Sequence, residues 1–282
     1  MRYEAVEVRR MTGGCGAEVL GVDVTTLSNR QWDEVRRAFV DHGVIFFRDQ
    51  SLTPEQHIAF ARRWGPIDIN RFFTPVAGYP EIAEVRKEKA QKANIGGGWH
   101  TDHSYDEAPA MGSILLARDV PEEGGDTLFA SMYAAYEALS EGLRHTLEGM
   151  RAIHSDEHVF GARGYHKNAG DTVGRIGNAN AVRGEVSHPV VITHPESGRK
   201  ALYVNPGFTL RFDGWSEADS KPLLEHLYRH ATRPEFTCRF RWAPGSIAFW
   251  DNRATWHYAA NDYQGERRLM HRITVAGCKL SA

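Results

Sequence analysis

The sequence predicts a mainly β protein with flanking helices, arranged as a double-stranded β-helix (jelly roll). Short strand-like segments recur along the chain between turn signals, such as His-Pro-Glu-Ser-Gly at 194–198, whereas helical periodicity is confined to a few stretches. An alternating βαβ fold would need more regular helix spacing than this. The predicted strands are 44–47, 82–86, 113–117, 127–131, 190–193, 201–205, 236–242, 247–250 and 269–276.

Cap signals mark the ends of the predicted helices. In the first helix, apolar side chains recur at helical spacing, Ser28 is a candidate N-cap and Gly43 ends the pattern. The second helix begins at Thr53, which can cap it, and Pro54 occupies the first turn. The predicted helices are 27–41, 53–64, 140–149 and 216–231.

Length and charge limit the classes of protein that fit. The chain has 282 residues and shows no internal repeat or low-complexity linker, so we expect one domain over residues 1–282. The 34 basic and 36 acidic side chains nearly balance, which gives no electrostatic reason to expect nucleic acid or an anionic membrane as a partner. The expected partner is a small-molecule substrate.

The three cysteines favour a reducing compartment. Cys15, Cys238 and Cys278 are widely separated, odd in number and not in a CxxC spacing. This pattern predicts neither a zinc ribbon nor a disulfide framework, but three buried or incidental thiols. The first residues lack the apolar stretch of a secretory signal, and the strongest apolar runs are too short to cross a bilayer. We therefore expect a cytoplasmic protein.

One long segment, residues 156–187, has little periodicity and is rich in Gly, Asn, Arg and Ala. Loops of this length are uncommon inside compact domains and are often lids or binding loops. We expect an active-site lid here, and the alternative is a poorly ordered surface excursion.

A candidate metal site is indicated by His100 and Asp102, which are two residues apart. In an extended segment such residues point to the same side. His257, in a second polar-aromatic stretch, would complete a set of two histidines and one carboxylate. Three such ligands on one side of an ion leave positions open for a bidentate co-substrate and O2, which is typical of non-haem Fe(II). A zinc hydrolase with a similar ligand set is the alternative.

Other histidines could supply the third ligand. His188 and His194 both precede proline and flank a turn, so a structural role is the simpler interpretation for them. What favours His257 is its setting in the stretch WDNRATWHYA at 250–259, together with the basic strand that follows. The alternatives are His103, His154, His188, His194 and His271.

That basic strand carries two arginines on one face. If the strand is extended, Arg268 and Arg272 point the same way. Arginines that face the interior are costly unless anions meet them. The far carboxylate of 2-oxoglutarate would meet one, and an acidic group on the prime substrate (the compound that is oxidised) the other. A bidentate contact contributes about 1.5–3 kcal/mol, enough to favour a dicarboxylate over a simple keto acid. The alternative is two surface arginines on an edge strand.

Taken together, these motifs resemble the taurine dioxygenase family, which includes 2,4-dichlorophenoxyacetate and phenoxypropionate dioxygenases and alkylsulfatases. The resemblance covers nearly the whole chain, and the combination is far more specific than any single motif. Its segments are GGCGAE at 13–18, GVD at 21–23, QHIAF at 56–60, WGP at 64–66, WHTD at 99–102, GGDT at 124–127, HP at 188–189, THPESGRKALYVN at 193–205 and WDNRATWHYA at 250–259.

The resemblance implies a function as well as a fold. The implied iron ligands are His100, Asp102 and His257, and the implied contacts to the C5 carboxylate of 2-oxoglutarate are Thr127 and Arg268. Arg272 would lie nearer the substrate anion. The implied reaction consumes O2, converts 2-oxoglutarate to succinate and CO2, and hydroxylates a substrate C–H bond. Because Asp102 is a carboxylate, the halogenating relatives are disfavoured. The family also suggests a homodimer or homotetramer.

The predicted substrate pocket differs from the taurine pattern. Asn70 stands where taurine enzymes place a sulfonate-binding histidine, Gly96 replaces an asparagine, and His103 replaces an apolar residue. The stretches 154–161 and 198–205 are closer to the phenoxypropionate dioxygenases. We therefore expect an anionic substrate with an apolar body, from the aryloxyalkanoate, sulfonate or sulfate ester class. The expected contacts are Arg272, His103, Asn70, Phe73, Tyr105, Phe160 and Phe208. The alternatives are a taurine dioxygenase proper, a metal-dependent hydrolase and a non-catalytic jelly-roll metabolite sensor.

Overall fold

The computed structural model describes residues 3–168, 170–172 and 174–282. The strands are β1 Glu7–Arg10, β2 Ala17–Leu20, β3 Val44–Phe47, β4 Ile67–Asp68, β5 Pro75–Val76, β6 Tyr79–Lys87, β7 Gly112–Asp119, β8 Thr127–Ser131, β9 Arg151–Ser155, β10 Glu185–Pro189, β11 Val191–Thr193, β12 Lys200–Leu202, β13 Thr209–Phe212, β14 Thr237–Phe240, β15 Ile247–Asp251, β16 Thr255–Ala259 and β17 Arg268–Val275. The α-helices are α1 Asn29–His42, α2 Pro54–Arg62, α3 Met132–Glu137, α4 Glu141–Glu148, α5 Glu157–Phe160, α6 Tyr165–Asn168 and α7 Glu217–Ala231.

Two facing sheets form the core. The large sheet has the strand order β1-β2-β3-β15-β7-β17-β6-β5, with β4 paired to β17, and the facing sheet has the order β14-β8-β16. Their side chains pack together in one apolar cluster. Phe46 on β3 stacks on Phe240 of β14 with ring centroids 4.1 Å apart, and Trp250 on β15 contacts Phe129 of β8. This arrangement confirms the predicted jelly roll.

Two helices cover the other face of the large sheet. The side chain of Ser28 accepts a hydrogen bond from the backbone N–H of Gln31 at the start of α1, which ends at Gly43 with a left-handed φ of 73°. Thr53 and Pro54 begin α2 in the same way. These caps confirm both predicted helices. Their buried faces pack on β3, β15 and β17.

The remaining strands form smaller units. The strands β10-β9-β13 make a three-stranded sheet, and β11 and β12 make an antiparallel hairpin that confirms the turn predicted at 194–198. Helices α3, α4 and α7 pack with these strands around a cluster that includes Tyr133, Leu224 and Trp256. In the described part of the chain, no helix combines the length and the apolar character needed to span a bilayer.

Several strands were missing from the prediction. They are β1, β2, β4, β5, β9, β10, β13 and β16. Two of them, β9 and β16, bury polar residues such as His154 and His257 at core positions, which hides the usual alternation. The 156–187 segment was predicted to lack regular structure, but its described residues include α5, α6 and the start of β10.

The cysteines form no disulfide, although the side chains of Cys15 and Cys238 contact each other. Cys15 and Cys238 are buried and Cys278 is exposed, and all three are free.

Candidate metal centre

Backbone pairing brings His100 and His257 together. The N–H of His257 donates to the carbonyl of His100 at 2.8 Å, and the N–H of His100 donates to the carbonyl of His257 at 3.1 Å. The centroids of the two imidazole rings are 4.1 Å apart. Gly207 permits the close packing, since a Cβ at that position would lie 2.7 Å from the Cβ of His100. A local β-bridge therefore joins two segments that are remote in the sequence.

Asp102 completes the group. Its Oδ1 lies 3.7 Å from Nε2 of His100. One ligand atom from each of His100, Asp102 and His257 lies within 4.8 Å of the other two, so all three could hold one metal ion. Asp102 Oδ2 accepts a hydrogen bond from Ser113 Oγ at 2.9 Å and lies 3.3 Å from Nη1 of Arg272. These two contacts orient the carboxylate.

The protonation states suit a divalent metal. Burial lowers the pKa of His100 and holds the pKa of His257 well below its usual value, so both imidazoles are neutral at pH 7. Nδ1 of His100 lies 2.7 Å from the Gly98 carbonyl, which leaves Nε2 free as a ligand. Burial alone would raise the pKa of Asp102, but the guanidinium of Arg272 holds it well below the usual range. Two neutral nitrogen donors and one carboxylate fit Fe(II).

The alternative histidine ligands have other partners. Nε2 of His194 lies 2.9 Å from Oδ2 of Asp251, and Nε2 of His188 lies 3.0 Å from the carbonyl of Asp106. His271 alternates along β17 with the arginines and therefore faces away from them.

A buried arginine adjoins the candidate metal ligands. Arg268 and Thr127 line the same cavity as those ligands. Among the described residues, Nε and Nη2 of Arg268 have no hydrogen-bond partner. Burial lowers the pKa of Arg268, and Tyr263 and Asp126 offset this only in part. Thr127 Oγ1 accepts a hydrogen bond from Nε1 of Trp242 at 3.0 Å, which leaves the threonine hydroxyl able to donate. This corner therefore fits a carboxylate such as that of 2-oxoglutarate.

The side chain of Arg272 contacts both a candidate metal ligand and the cavity. It lines the cavity, and its guanidinium lies over the ring of Phe73 at 4.4 Å, in addition to its contact with Asp102. Its Nε has no hydrogen-bond partner within the described residues. Part of this guanidinium therefore holds the candidate metal ligand, and part can meet an anion.

The cavity has a volume of about 700 Å³ and a mostly apolar lining, a size that suits a small ligand. Four of the predicted substrate contacts are aromatic residues in its wall: Phe73, Tyr105, Phe160 and Phe208. They belong to one buried cluster. Phe160 stacks on Phe72 with centroids 4.2 Å apart, and the Tyr105 and Phe208 rings meet edge to face at 4.6 Å.

Two predicted substrate contacts lie outside the cavity wall. Oδ1 of Asn70 accepts hydrogen bonds from the backbone N–H groups of Phe72 and Phe73, both at 3.0 Å, so Asn70 shapes the turn that presents Phe73. His103 is buried with a left-handed φ of 61°, and its Nδ1 lies 3.0 Å from Oδ2 of Asp106. Both side chains are occupied by neighbouring loop residues.

Some cavity residues were not predicted. They include Ile95, Trp99, Val159, Tyr165 and His166. The 156–187 segment contributes three of these, and its lack of periodicity gave no face to assign to the cavity.

The chain is similar to known proteins along nearly its whole length. Residues 7–274 match the family described as taurine catabolism dioxygenase TauD, TfdA family. The chain is 37% identical to an alkylsulfatase of Acinetobacter baylyi, over 97% of this chain and 86% of that protein. It is 33% identical to the (S)-phenoxypropionate/alpha-ketoglutarate-dioxygenase of Sphingobium herbicidovorans, over 97% and 96% of the two chains. A crystal structure of a taurine dioxygenase from Burkholderia xenovorans superimposes with a TM-score of 0.82 at 36% identity, covering 97% of this chain and 92% of that one. The protein therefore belongs to the TauD/TfdA family of dioxygenases.

Proposed function

We propose that this protein is an Fe(II)- and 2-oxoglutarate-dependent dioxygenase that hydroxylates a small anionic substrate with an apolar body. The observation that carries the proposal is the convergence of His100, Asp102 and His257 in the cavity that also contains the guanidinium of Arg268, two of whose nitrogens have no hydrogen-bond partner in the described part of the chain. Three ligands on one side of an ion leave room for a chelating co-substrate, and the buried cation suits the far carboxylate of that co-substrate.

The side chains hold the reactants in place. When bound, Fe(II) supplies the activation of O2 that is coupled to conversion of 2-oxoglutarate to succinate and CO2. Ser113 and Arg272 fix the orientation of the Asp102 carboxylate. Arg268 and Thr127 hold the C5 carboxylate of 2-oxoglutarate, and the aromatic walls keep water from the reacting atoms.

The substrate class rests on the cavity and on the relatives. Phe73, Phe160 and Phe208 suit an apolar body, and Nε of Arg272, which no described residue hydrogen-bonds, suits an anionic group. The relatives include an alkylsulfatase and a phenoxypropionate dioxygenase, whose names point to sulfate esters and aryloxyalkanoates. Hydroxylation of a carbon that bears a sulfate or aryloxy oxygen gives a product that collapses and expels that group.

The test is a turnover screen. The protein is supplied with Fe(II), 2-oxoglutarate and O2, and with alkyl sulfates, alkanesulfonates, taurine, aryloxyalkanoates or amino acids, and succinate is measured. We expect an anionic compound with an apolar body to stimulate succinate formation and to be oxidised in equal amount. If no carboxylate, sulfonate or sulfate ester stimulated succinate formation, the proposal would be wrong.

The same screen separates the alternatives. Taurine dioxygenase proper is the second candidate, because a taurine dioxygenase is among the similar crystal structures, and it requires taurine to be the best substrate. A hydrolase would release product without O2 and without consuming 2-oxoglutarate. A metabolite sensor would bind a compound without any O2 uptake.

The cytoplasmic location and the homodimer or homotetramer stay predictions. Light scattering on the purified protein measures the assembly, and fractionation of cells measures the location.

A further inference from the structure

A cluster of charged side chains lies beside the candidate metal centre and has no role in the chemistry described above. Arg71 is its centre. Nη2 of Arg71 lies 2.9 Å from Oδ2 of Asp156 and 2.9 Å from Oδ1 of Asp106. Nη1 donates to Oδ2 of Asp106 at 3.1 Å, and Nε donates to the carbonyl of Ala181 at 3.1 Å. All three nitrogens of this guanidinium are therefore engaged.

The charges of the cluster balance. Arg183 adds a second guanidinium 3.4 Å from Asp106, and its backbone N–H lies 3.3 Å from each carboxylate oxygen of Asp156. The side chain of Asp156 is 0% exposed and that of Asp106 is 6% exposed. Burial alone would raise the pKa of Asp106, but hydrogen bonds from His103 and Arg71 lower it, so this carboxylate stays ionised. Buried carboxylates of this kind depend on their partners, because losing one partner leaves an uncompensated charge.

A second metal site is a poor explanation of the same cluster. Asp68, His103 and Asp106 are close enough to share an ion. However, Arg71 and Arg183 already contact the carboxylate of Asp106, and their positive charges would repel a cation. The cluster is therefore better described as an ion-pair network.

On one side, this network holds the turn that follows a candidate metal ligand. The N–H of Asp106 donates to the carbonyl of His103 at 3.0 Å, and the Asp106 carboxylate contacts the His103 ring. His103 directly follows Asp102. Arg71 packs over the ring of Tyr105, in the same turn, at 5.1 Å. Arg71 thus stabilises a turn that begins at the metal site and carries one aromatic residue of the cavity wall.

On the other side, the network holds the 156–187 segment at both ends. Asp156 precedes α5, which carries Phe160 into the cavity wall, while Ala181 and Arg183 lie near the far end of the segment. Arg71 contacts Asp156 and Ala181 directly. The segment between these anchors also brings Tyr165 and His166 to the cavity.

We infer that Arg71 is a positioning residue that ties the 156–187 segment to the turn after Asp102 and so closes the substrate side of the cavity. This inference rests on the proposed function. Without the tie, the prime substrate binds more weakly, so part of the O2 that is consumed with 2-oxoglutarate oxidises ascorbate, supplied in the assay as the reductant, instead of the substrate. Binding of 2-oxoglutarate is spared, because Thr127 and Arg268 stand on β8 and β17, outside the network.

The test compares two matched substitutions. Arg71→Lys keeps the positive charge but loses the fork that reaches two carboxylates at once. Arg199→Lys makes the same change in a pair in which Nε and Nη2 of Arg199 contact Oε1 of Glu137 at 3.2 and 2.6 Å. The Glu137 carboxylate is half exposed, and both residues lie outside the cavity wall and outside residues 156–187. Asp156→Asn is the second variant, in case Arg71→Lys fails to fold, because it removes one carboxylate charge at constant volume.

Three quantities are measured on folded protein, as judged by circular dichroism. They are the KM values for the prime substrate and for 2-oxoglutarate, the ratio of succinate to oxidised product, and the rate of tryptic cleavage within residues 156–187 without any substrate. For Arg71→Lys or Asp156→Asn we expect the prime-substrate KM to rise on the order of tenfold and the ratio to increase severalfold. We also expect faster cleavage, an unchanged 2-oxoglutarate KM, and Arg199→Lys to match the unmodified protein.

Unchanged coupling and cleavage in the folded Arg71 and Asp156 variants would overturn the inference, as would an equal effect of Arg199→Lys. If the unmodified protein converts no 2-oxoglutarate with any compound, the proposed function fails instead. The cleavage comparison needs no turnover and still decides whether Arg71 holds the segment.

Discussion

The two sides of the cavity are built on different kinds of structure. On the metal and 2-oxoglutarate side, most of the residues stand on strands of the jelly roll: His257 on β16, Thr127 on β8, and Arg268 and Arg272 on β17. On the substrate side the wall stands on loops and one-turn helices: Phe73, Tyr105, Phe160, His166 and Phe208.

This difference indicates that the strand-borne side of the cavity is fixed by the fold, whereas the loop-borne side can vary. Strand residues are held by ladders of backbone hydrogen bonds, such as the pairing of β17 with both β6 and β7. Loop residues depend on a few side-chain contacts, such as those of Arg71. A fold built this way can keep one reaction while its loops select different substrates. The predictions below test whether the two sides are in fact separable.

The largest effect is expected from removal of a candidate metal ligand. His100→Ala and Asp102→Ala should abolish iron binding and lower turnover by more than about 100-fold, beyond the 10–100-fold typical of losing a group that only supports a ligand. The fold should persist, because neither residue belongs to the apolar core clusters. Iron content and succinate formation measure the effect, and His226→Ala, an exposed histidine on α7, is the control. Retention of iron by either variant would contradict the assignment.

The next largest effect is expected on the binding of 2-oxoglutarate alone. Arg268→Ala should raise the KM for 2-oxoglutarate about 10- to 150-fold, which corresponds to the loss of a charge-assisted pair of about 1.5–3 kcal/mol. The KM for the prime substrate should change little. Arg267→Ala is the matched control, since the neighbouring guanidinium contacts Glu88 and Asp119 instead of the cavity. Equal changes in the two variants would show that Arg268 does not bind the carboxylate.

On the substrate side we expect a smaller effect, which should fall on the KM for the prime substrate and not on the KM for 2-oxoglutarate. Phe160→Ala removes a ring that stacks on Phe72 in the cavity wall. The KM for the prime substrate should rise about tenfold, since a change of pocket shape is worth about 1–3 kcal/mol. The KM for 2-oxoglutarate should stay within about twofold of its original value. If both constants rose together, the two sides would not be separable.

The strand-borne side could largely be anticipated from the sequence. Period-two alternation along the basic strand put Arg268 and Arg272 on one face, and both line the same cavity. The neighbourhood of His257 distinguished it from the other histidines, and the structure brings it to His100 and Asp102. The alternation of side-chain direction is a property of any extended chain, so it can be recognised without knowledge of the tertiary contacts.

The loop-borne side could be anticipated only in part, because four of its predicted residues, Phe73, Tyr105, Phe160 and Phe208, line the cavity and two do not. Asn70 and His103 neighbour cavity residues in sequence, but local geometry turns their side chains to other partners: Asn70 bonds backbone N–H groups, and His103 has a left-handed φ. The contact of Arg71 with Asp156 joins two segments without any shared periodicity. Direction in a loop depends on such contacts, and composition does not encode them.

On the strand-borne side, a residue that lowers stability in acid lies on the outer face of the large sheet, where α2 packs on β17. His57 is 1% exposed, and neither ring nitrogen forms a well-shaped hydrogen bond to a described residue. Burial, together with His271 and Arg118, lowers the pKa of His57 to about 3, although the backbone of Ile114 opposes this. In the unfolded chain a histidine titrates near pH 6.5, so between about pH 6.5 and 3 only the unfolded state gains this proton.

The free energy of unfolding should therefore be highest above pH 6.5 and fall on acidification, with His57 contributing about 2 kcal/mol of the loss between pH 7 and 5. His57→Leu removes the titrating group from an apolar site. Between pH 7 and 5, urea denaturation should therefore show that the free energy of unfolding falls by about 2 kcal/mol less in the variant than in the unmodified protein. His145→Leu, exposed on α4, should show no such difference. A difference between His57→Leu and the unmodified protein that does not change with pH would mean that His57 is protonated equally in both states. Acidification would then not weaken the packing of α2 on β17 through His57.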